Sequence, residues 1–466
     1  MGMLQKPFGD LITFTRLGAA GYWNWQAVYT MAAANEPRIN HDPATLSISE
    51  TSVTLGAGEH TFATNYLYVV GTVLRASADA DNWMTGRVIA ASEGSVTIAV
   101  TGVQVRGSGT YASWTLIVRL GIWVEEQRPN LLKWSQDFAQ SAWSKASCTV
   151  SSGSAVAPDG KSTADKLTPN VFETGSGYLM QSVPAAAGNA YSASVFVKKA
   201  EFDWAFLWLD NGSGVGVTLE VNLSTGENRL TRVNTSSYTA VKSAAMPVGD
   251  GWYRISISAT TAFNAVQVRV FPAPFPYVSG GAYGTPNYQG DGVSGIYIWQ
   301  ADLQPGNSVT SPIPTEGAQA TRAADVPVVN VLSPWFRQRE GTWLIGFTPP
   351  VGVIFPRLIS YSDIARSFLE LGSGGRLGTW AGVGLVTPNI ATYGAANKGA
   401  ITYSSVGRSL SLNGGDVASD ANHVDPAVNG IRLGANHGGA QYLSGHIEFI
   451  RFYPKALPDQ LQALTA

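Results

Sequence analysis

The feature that most constrains this chain is a two-residue rhythm of polar and apolar side chains that recurs along most of its length. Ser95-Val96-Thr97-Ile98-Ala99-Val100 and Ser113-Trp114-Thr115-Leu116-Ile117-Val118 carry it early. Tyr191-Ser192-Ala193-Ser194-Val195-Phe196-Val197-Lys198, Trp252-Tyr253-Arg254-Ile255-Ser256-Ile257-Ser258 and Val266-Gln267-Val268-Arg269-Val270 carry it in the middle. It returns at the end in Ser444-Gly445-His446-Ile447-Glu448-Phe449-Ile450-Arg451-Phe452-Tyr453. Successive side chains of a strand point to opposite faces, so such segments bury one face and wet the other. Turn residues punctuate them, as in Gly107-Ser108-Gly109-Thr110, Asn222-Leu223-Ser224-Thr225-Gly226 and Gly249-Asp250-Gly251. Many short antiparallel strands with no long helical stretch among them predict an all-β chain of sandwiches or jelly rolls.

At 466 residues the chain exceeds one sandwich core, which predicts two to four domains. Residues 1–44 read as an arm, with Tyr22-Trp23-Asn24-Trp25 in a short hairpin and Asn35-Glu36-Pro37-Arg38 in a turn. Residues 45–120 read as a small β-barrel or sandwich, and 121–132 as a connector. Residues 133–325 form a larger strand-rich domain, and Ser311-Pro312-Ile313-Pro314-Thr315 followed by Thr321-Arg322-Ala323-Ala324-Asp325 at its end reads as a linker. Residues 326–466 form a last sandwich, closed by one helical turn at Leu457–Leu464 with Pro458 in its first turn.

Composition excludes several classes. The net charge is −2 and no basic cluster exists to neutralise phosphates, so no nucleic acid is expected as a partner. Cys148 is the single cysteine and forms no intrachain disulfide. Met1–Asp10 lacks the basic and apolar regions of a signal peptide, and no run of about 18 apolar residues predicts membrane insertion. The expectation is a protein made in a reducing cytoplasm that works outside it.

Particular motifs carry a family likeness. Phe14-Thr15-Arg16, Asn35-Glu36-Pro37-Arg38 and Asp42-Pro43, followed by Val124-Glu125-Glu126-Gln127-Arg128-Pro129-Asn130-Leu131-Leu132, resemble the leader of tailed-bacteriophage tail and tail-fibre proteins. The 45–120 module stands inserted between those halves. Asn82-Trp83-Met84 and Gly107-Ser108-Gly109-Thr110-Tyr111 liken it to a small β-module of phage structural proteins. Ser135-Gln136-Asp137-Phe138, Trp143, Ala157-Pro158-Asp159-Gly160, Gly251-Trp252-Tyr253-Arg254, Ile296-Tyr297-Ile298-Trp299-Gln300-Ala301-Asp302-Leu303 and Thr321-Arg322-Ala323-Ala324-Asp325 are similar to the carbohydrate-binding-module-like jelly roll of such proteins. The family carries Gly where Gln300-Ala301-Asp302 stands. Arg408-Ser409-Leu410-Ser411-Leu412-Asn413-Gly414 and the Gly445-to-Leu464 ending resemble a concanavalin/laminin-G-like sandwich. The resemblance implies a tail-fibre, receptor-binding or gene-transfer-agent spike protein, assembled in the host cytoplasm into a virion tail or baseplate. It also implies an arm at 1–44 that anchors to other tail or baseplate proteins, a homotrimer, and bacterial surface polysaccharide as the ligand.

The residues themselves offer little catalytic chemistry. A glycan hydrolase needs two carboxylates flanking the scissile bond, and Glu125-Glu126 is the one doublet in the connector; neighbouring strand residues face opposite ways. His41, His60, His423, His437 and His446 lack metal-ligand spacing. Gly212-Ser213-Gly214 and Gly372-Ser373-Gly374 lack the strand–turn–helix setting of a nucleophile elbow. The loop from Asp416 to Asp425, with Asp420 and His423, is the nearest approach to a cation loop. No catalytic residue, metal or cofactor is predicted.

Sugar binding asks for aromatic faces to meet C–H groups and for polar side chains to meet hydroxyls. Phe202-x-Trp204-x-Phe206-x-Trp208-x-Asp210 places four rings and an acid on one strand face. Two readings stand for it: a stacking platform with Trp204, Trp208 and Asp210 as contacts, or sandwich core, since Leu207 and Leu209 make the opposite face apolar too. Trp252 and Trp299 read as core. Trp380 and Tyr403, placed in Gly-rich loops of the last domain, are further glycan-binding candidates. Three functions follow in order: a non-catalytic glycan receptor, a purely structural baseplate or spike protein, and a polysaccharide depolymerase.

Overall fold

The structure is a computed structural model that describes residues 13–15, 20–23, 29–32, 39–40, 47–49, 52–63, 73–78, 82–92, 95–118, 121–233, 236–275, 278–279, 286–329, 336–350, 355–361, 367–380, 383–422 and 430–466. Strands dominate the described residues and helix is confined to single turns, so the protein is all-β. The only helical turns among the described residues are Ser373–Gly375, Pro458–Gln460 and Leu461–Thr465. The last two form the closing turn, with Leu461 fully buried against Leu344 and Ala400. Pairing is antiparallel in every described ladder.

Ala20–Trp23 and Tyr29–Ala32 pair as a hairpin; Asn35–Arg38 lies outside the described residues. Between 47 and 118 a six-stranded sheet runs in the order Ser47–Ser49, Trp114–Val118, Val73–Ser77, Trp83–Ser92, Ser95–Arg106, Gly58–Ala63. The alternation of Ser95–Val100 appears as predicted, with Val96 and Ile98 buried beside Phe62, Leu74 and Met84.

Residues 144–305 build two six-stranded sheets face to face. One is ordered Ser144–Ala146, Tyr178–Pro184, Ala265–Ala273, Trp204–Asp210, Gly216–Asn222, Asn228–Val233. The other is ordered Cys148–Ala155, Ala164–Pro169, Ile296–Pro305, Ala190–Lys199, Trp252–Thr261, Tyr238–Gly249. Leu179, Val183, Leu207, Leu209, Val217, Leu219, Val266, Val268 and Val270 of the first sheet share one core with Val195, Val197, Ile255, Ile257, Ile298 and Leu303 of the second. Trp299 packs edge-on to Phe196 at 5.2 Å, and Trp252 Nε1 donates to the Val156 carbonyl, so both indoles are core as expected.

The Pro-rich passage is a strap rather than a linker. Thr310, Ile313 and Thr315 are buried, and the cause is visible in the sequence of donors. Pro312 and Pro314 have no N–H, which leaves donors only on Ser311, Ile313 and Thr315. Each of the three is used: Ser311 N donates to Glu125 Oε1, Ile313 N to Asp302 Oδ1 and Thr315 N to Ser135 Oγ. Asn130 ties the strap down from beneath. Its Nδ2 donates to the Ala301 and Ile313 carbonyls, and its Oδ1 accepts from Leu132 N and Leu303 N.

The last sandwich has two seven-stranded sheets, and both contain strands from far upstream. One runs Thr13–Thr15, Val326–Val329, Ile431–Leu433, Arg357–Tyr361, Ser367–Leu371, Arg376–Trp380, Gly384–Ile390. The other runs Ala418–Asp420, Gly407–Leu412, Asn397–Ser404, Gly341–Thr348, Gly445–Tyr453, Gly121–Val124, Ile39–Asn40. Trp343, Ile345, Phe347, Leu369, Leu377, Leu410 and Ile447 fill the space between them.

Two predictions follow from the jelly roll's interior. Trp208→Ala removes a buried indole and is expected to cost about 3–5 kcal/mol in denaturant unfolding. The second concerns acid. Burial raises Asp210 to about 6 against the lowering pull of Arg269, and burial raises Asp302 to about 6 against that of Arg254. A carboxyl raised above its unfolded value of about 3.9 contributes stability that is complete below that value and lost as pH rises through about 6. Asp203 and Asp420, held low by hydrogen bonds from Lys199 and Arg408, act in the opposite sense only nearer pH 4. The thermal midpoint is therefore expected to be higher at about pH 5 than at about pH 7.5 in wild type. Asp210→Asn should reduce that difference, as read by circular dichroism.

Candidate carbohydrate-binding surface

The aromatic strand Trp204–Asp210 occupies an inner position of its sheet, between Ala265–Ala273 and Gly216–Asn222. Directly paired residues share a face, so Trp204, Phe206, Trp208 and Asp210 lie beside Ala273, Phe271, Arg269 and Gln267. Arg269 connects them. Its guanidinium lies 4.7 Å from the Trp208 ring and 5.1 Å from the Tyr178 ring, with Nε 2.9 Å from Asp210 Oδ2. Cation–π contact and charge pairing act together there. Gly216 makes room for the indole, since a Cβ there would stand 2.6 Å from Trp208 Nε1.

Trp208 is 2 % exposed, Phe206 and Asp210 are fully buried, and Trp204 is half-buried. Of the two readings of this strand, the burial is that of sandwich core on both faces. Trp204, Trp208 and Asp210 are thus brought together, in a packed layer rather than on an open shelf. Arg269 and Tyr178 were not singled out from sequence; Arg269 sits at a polar position of an alternating strand, where it reads as solvent-facing.

Tyr403 differs from expectation. It lies inside the Asn397–Ser404 strand, not in a loop, and is fully buried, with its hydroxyl donating to the Arg337 carbonyl at 2.6 Å. Burial pushes its phenol well above the usual range. The glycines around it mark strand crossings: a Cβ on Gly341 would meet the Phe452 ring and the Tyr403 hydroxyl.

Trp380 is the candidate that remains open, with 53 % of its surface exposed. It ends the Arg376–Trp380 strand, which pairs with the edge strand Gly384–Ile390. Cross-strand pairs put Trp380 with Gly384, Gly378 with Val386 and Arg376 with Ile390 on the outer face. The Cε3–Cζ3 edge of the Trp380 ring lies against Gly384, where a Cβ would stand 3.3 Å from both atoms, and Val386 Cγ1 lies equally close to the position of a Cβ on Gly378. Two absent side chains therefore flatten the surface. Val386 and Ile390 are exposed on it, and Val383 is exposed in the turn. The next strand adds charge: Glu370 pairs across from Gly378 and forms an ion pair with Arg357. Arg376 Nη1 donates to the Thr387 carbonyl, which anchors the edge strand. Every second residue of Gly384-x-Val386-x-Pro388-x-Ile390 faces outward, a pattern that sequence inspection could have found.

Two buried acids are committed to arginines. Glu220 accepts from Arg229 Nη2 at 2.7 Å and from Thr231 Oγ1, and Glu125 pairs with Arg322. Glu125 is buried and Glu126 partly exposed, and both lie just beyond the end of the Gly121–Val124 strand. Asp420 takes Arg408 on both oxygens, and no group of three His, Cys, Asp or Glu is placed to hold a metal among the described residues. His423 and Asp425 lie outside them.

No family model matches this chain, and no curated protein does. Among solved structures, domains LG4-5 of the mouse laminin alpha1 chain are similar at 11 % identity over 72 % of this chain and 90 % of that one, with a TM-score of 0.22. So low a score carries no argument, and the β-sandwich assignment rests on the strand pairing itself.

Trp380→Ala removes an exposed ring and is expected to change stability by no more than about 0.5 kcal/mol. Tyr403→Ala opens a core cavity and is expected to cost about 3 kcal/mol or more. Chemical denaturation of the two variants checks the contrast.

Proposed function

We propose that this protein is a non-catalytic adhesion protein of a tailed-phage particle that binds bacterial surface glycans. The observation that carries the reading is the Trp380 surface: an exposed indole whose Cε3–Cζ3 edge lies against Gly384 on a strand pair, with an Arg–Glu pair one strand away. Sugar rings present C–H faces that stack on such an indole and hydroxyls that bond to charged or amide neighbours. A site on paired strands is already ordered, so little entropy is lost on binding. The order of the tail-fibre-like motifs along the sequence supports the particle assignment. The buried carboxylates Glu125, Asp210 and Glu220 are held in arginine pairs, which supports binding without hydrolysis. A homotrimer in the tail or baseplate would convert weak single contacts into avidity.

The exposed Val383, Val386 and Ile390 beside Trp380 favour a second reading, in which the same strip docks a neighbouring structural protein. A glycan array with the whole chain separates the two. Binding to a surface polysaccharide is expected, with affinity about tenfold weaker in Trp380→Ala and partly kept in Trp380→Phe. Absence of binding to any host polysaccharide leaves the structural reading. Shortened polysaccharide chains after incubation would mean that the protein is a depolymerase instead.

A further inference from the structure

The motifs at 124–132 and 321–325 meet at one place, the neck where the chain enters and leaves the jelly roll. Arg128–Asn130 pairs antiparallel with Ala320–Arg322. Just beyond, Glu125 N donates to Asp325 Oδ2 and Asp325 N donates to the Glu125 carbonyl, each at 2.9 Å. The side chains close the same gap. Arg322 Nη1 stands 3.0 Å from Glu125 Oε2 and 3.9 Å from Asp325 Oδ2, while Nη2 donates to the Glu126 carbonyl at 2.7 Å. The other Glu125 oxygen accepts from Ser311 N of the strap. Glu125, Arg322 and Asp325 are each at most 2 % exposed.

One residue outside this cluster the chain has already joined the last sandwich, in both of its sheets. Val124 pairs with Gly445 in one, and Val326 pairs with Thr15 in the other. The ions therefore sit between two crossings into one sandwich and one paired entry into the jelly roll. A hinge is built otherwise, from exposed residues with few contacts across them. Burying three charged groups adds little net stability over an apolar core, but it penalises every arrangement that separates them.

We propose that this neck is a rigid coupling, which holds the jelly roll in one orientation to the last sandwich so that a pull on one module turns the other with it. Spin labels at Ser162→Cys and Ser405→Cys, both exposed, would report the distance between the modules in the whole chain. The native Cys148 is buried, its thiol pushed up by burial to about 12, and stays unlabelled. A narrow distance distribution is expected in wild type, and one about twofold broader in Glu125→Gln and in Arg322→Met. A folded Glu125→Gln protein with the wild-type width overturns the coupling. So does a wild-type distribution as broad as that of a flexible tether. The wild-type width decides alone should neither variant fold.

Discussion

The chain's organisation depends on one backbone ladder, in which Ile122, Trp123 and Val124 pair with Ile447, His446 and Gly445. Through it, Gly121–Val124, from before the jelly roll, becomes an interior strand of a sheet built mostly by the last part of the chain, with Ile39–Asn40 at its edge. Thr13–Thr15 joins the facing sheet as its edge strand by pairing with Val326–Val329. The entropy of closing so long a loop grows only slowly with its length, so the ladder is thermodynamically affordable. It is slow to find, because contacts of high sequence separation form late. The last sandwich is thus the frame, and the jelly roll is hung within it.

Polar layers do as much to shape the jelly roll as the apolar core. Ser192 and Ser194 alternate with Tyr191, Ala193 and Val195, yet they too are fully buried. Ser192 bonds to Ser258 and donates to the Gly306 carbonyl, while Ser194 accepts from Arg254. Gln304 and Asp302 continue this layer beneath the strap. Each such bond adds only about 1 kcal/mol, but an unmade one costs about 1–3 kcal/mol. The strap's register is therefore set by which donors its prolines leave.

Where a strand has one dry face and one wet face, its burial was legible in the sequence. Ser95–Val100 is the plain case. Where the polar face is covered by more protein, the rhythm misleads, because Ser192 and Arg269 carry no mark that says buried rather than wet. The Pro-rich strap misled for a related cause: the same prolines that make a linker stiff also place its donors all on one side. Tyr403 reads as a loop residue because Gly399 and Gly407 bracket it, although a glycine in a strand also marks a crowded crossing. Trp380 was legible as a candidate, but not the flatness of its surroundings, which comes from Gly378 and Gly384 being paired to their neighbours across strands.

Asn40 and Gly121 are direct partners in one ladder, though eighty residues of chain lie between them. Their Cα atoms are therefore separated by about 5 Å, the ordinary distance across two antiparallel strands. A segment whose ends are that close imposes no geometry on the sheet that bears it, and a tight turn would serve the sheet equally well. That junction is thus a graft point. The chain can exchange, lose or enlarge what it carries there across evolution while the frame around it keeps the same shape.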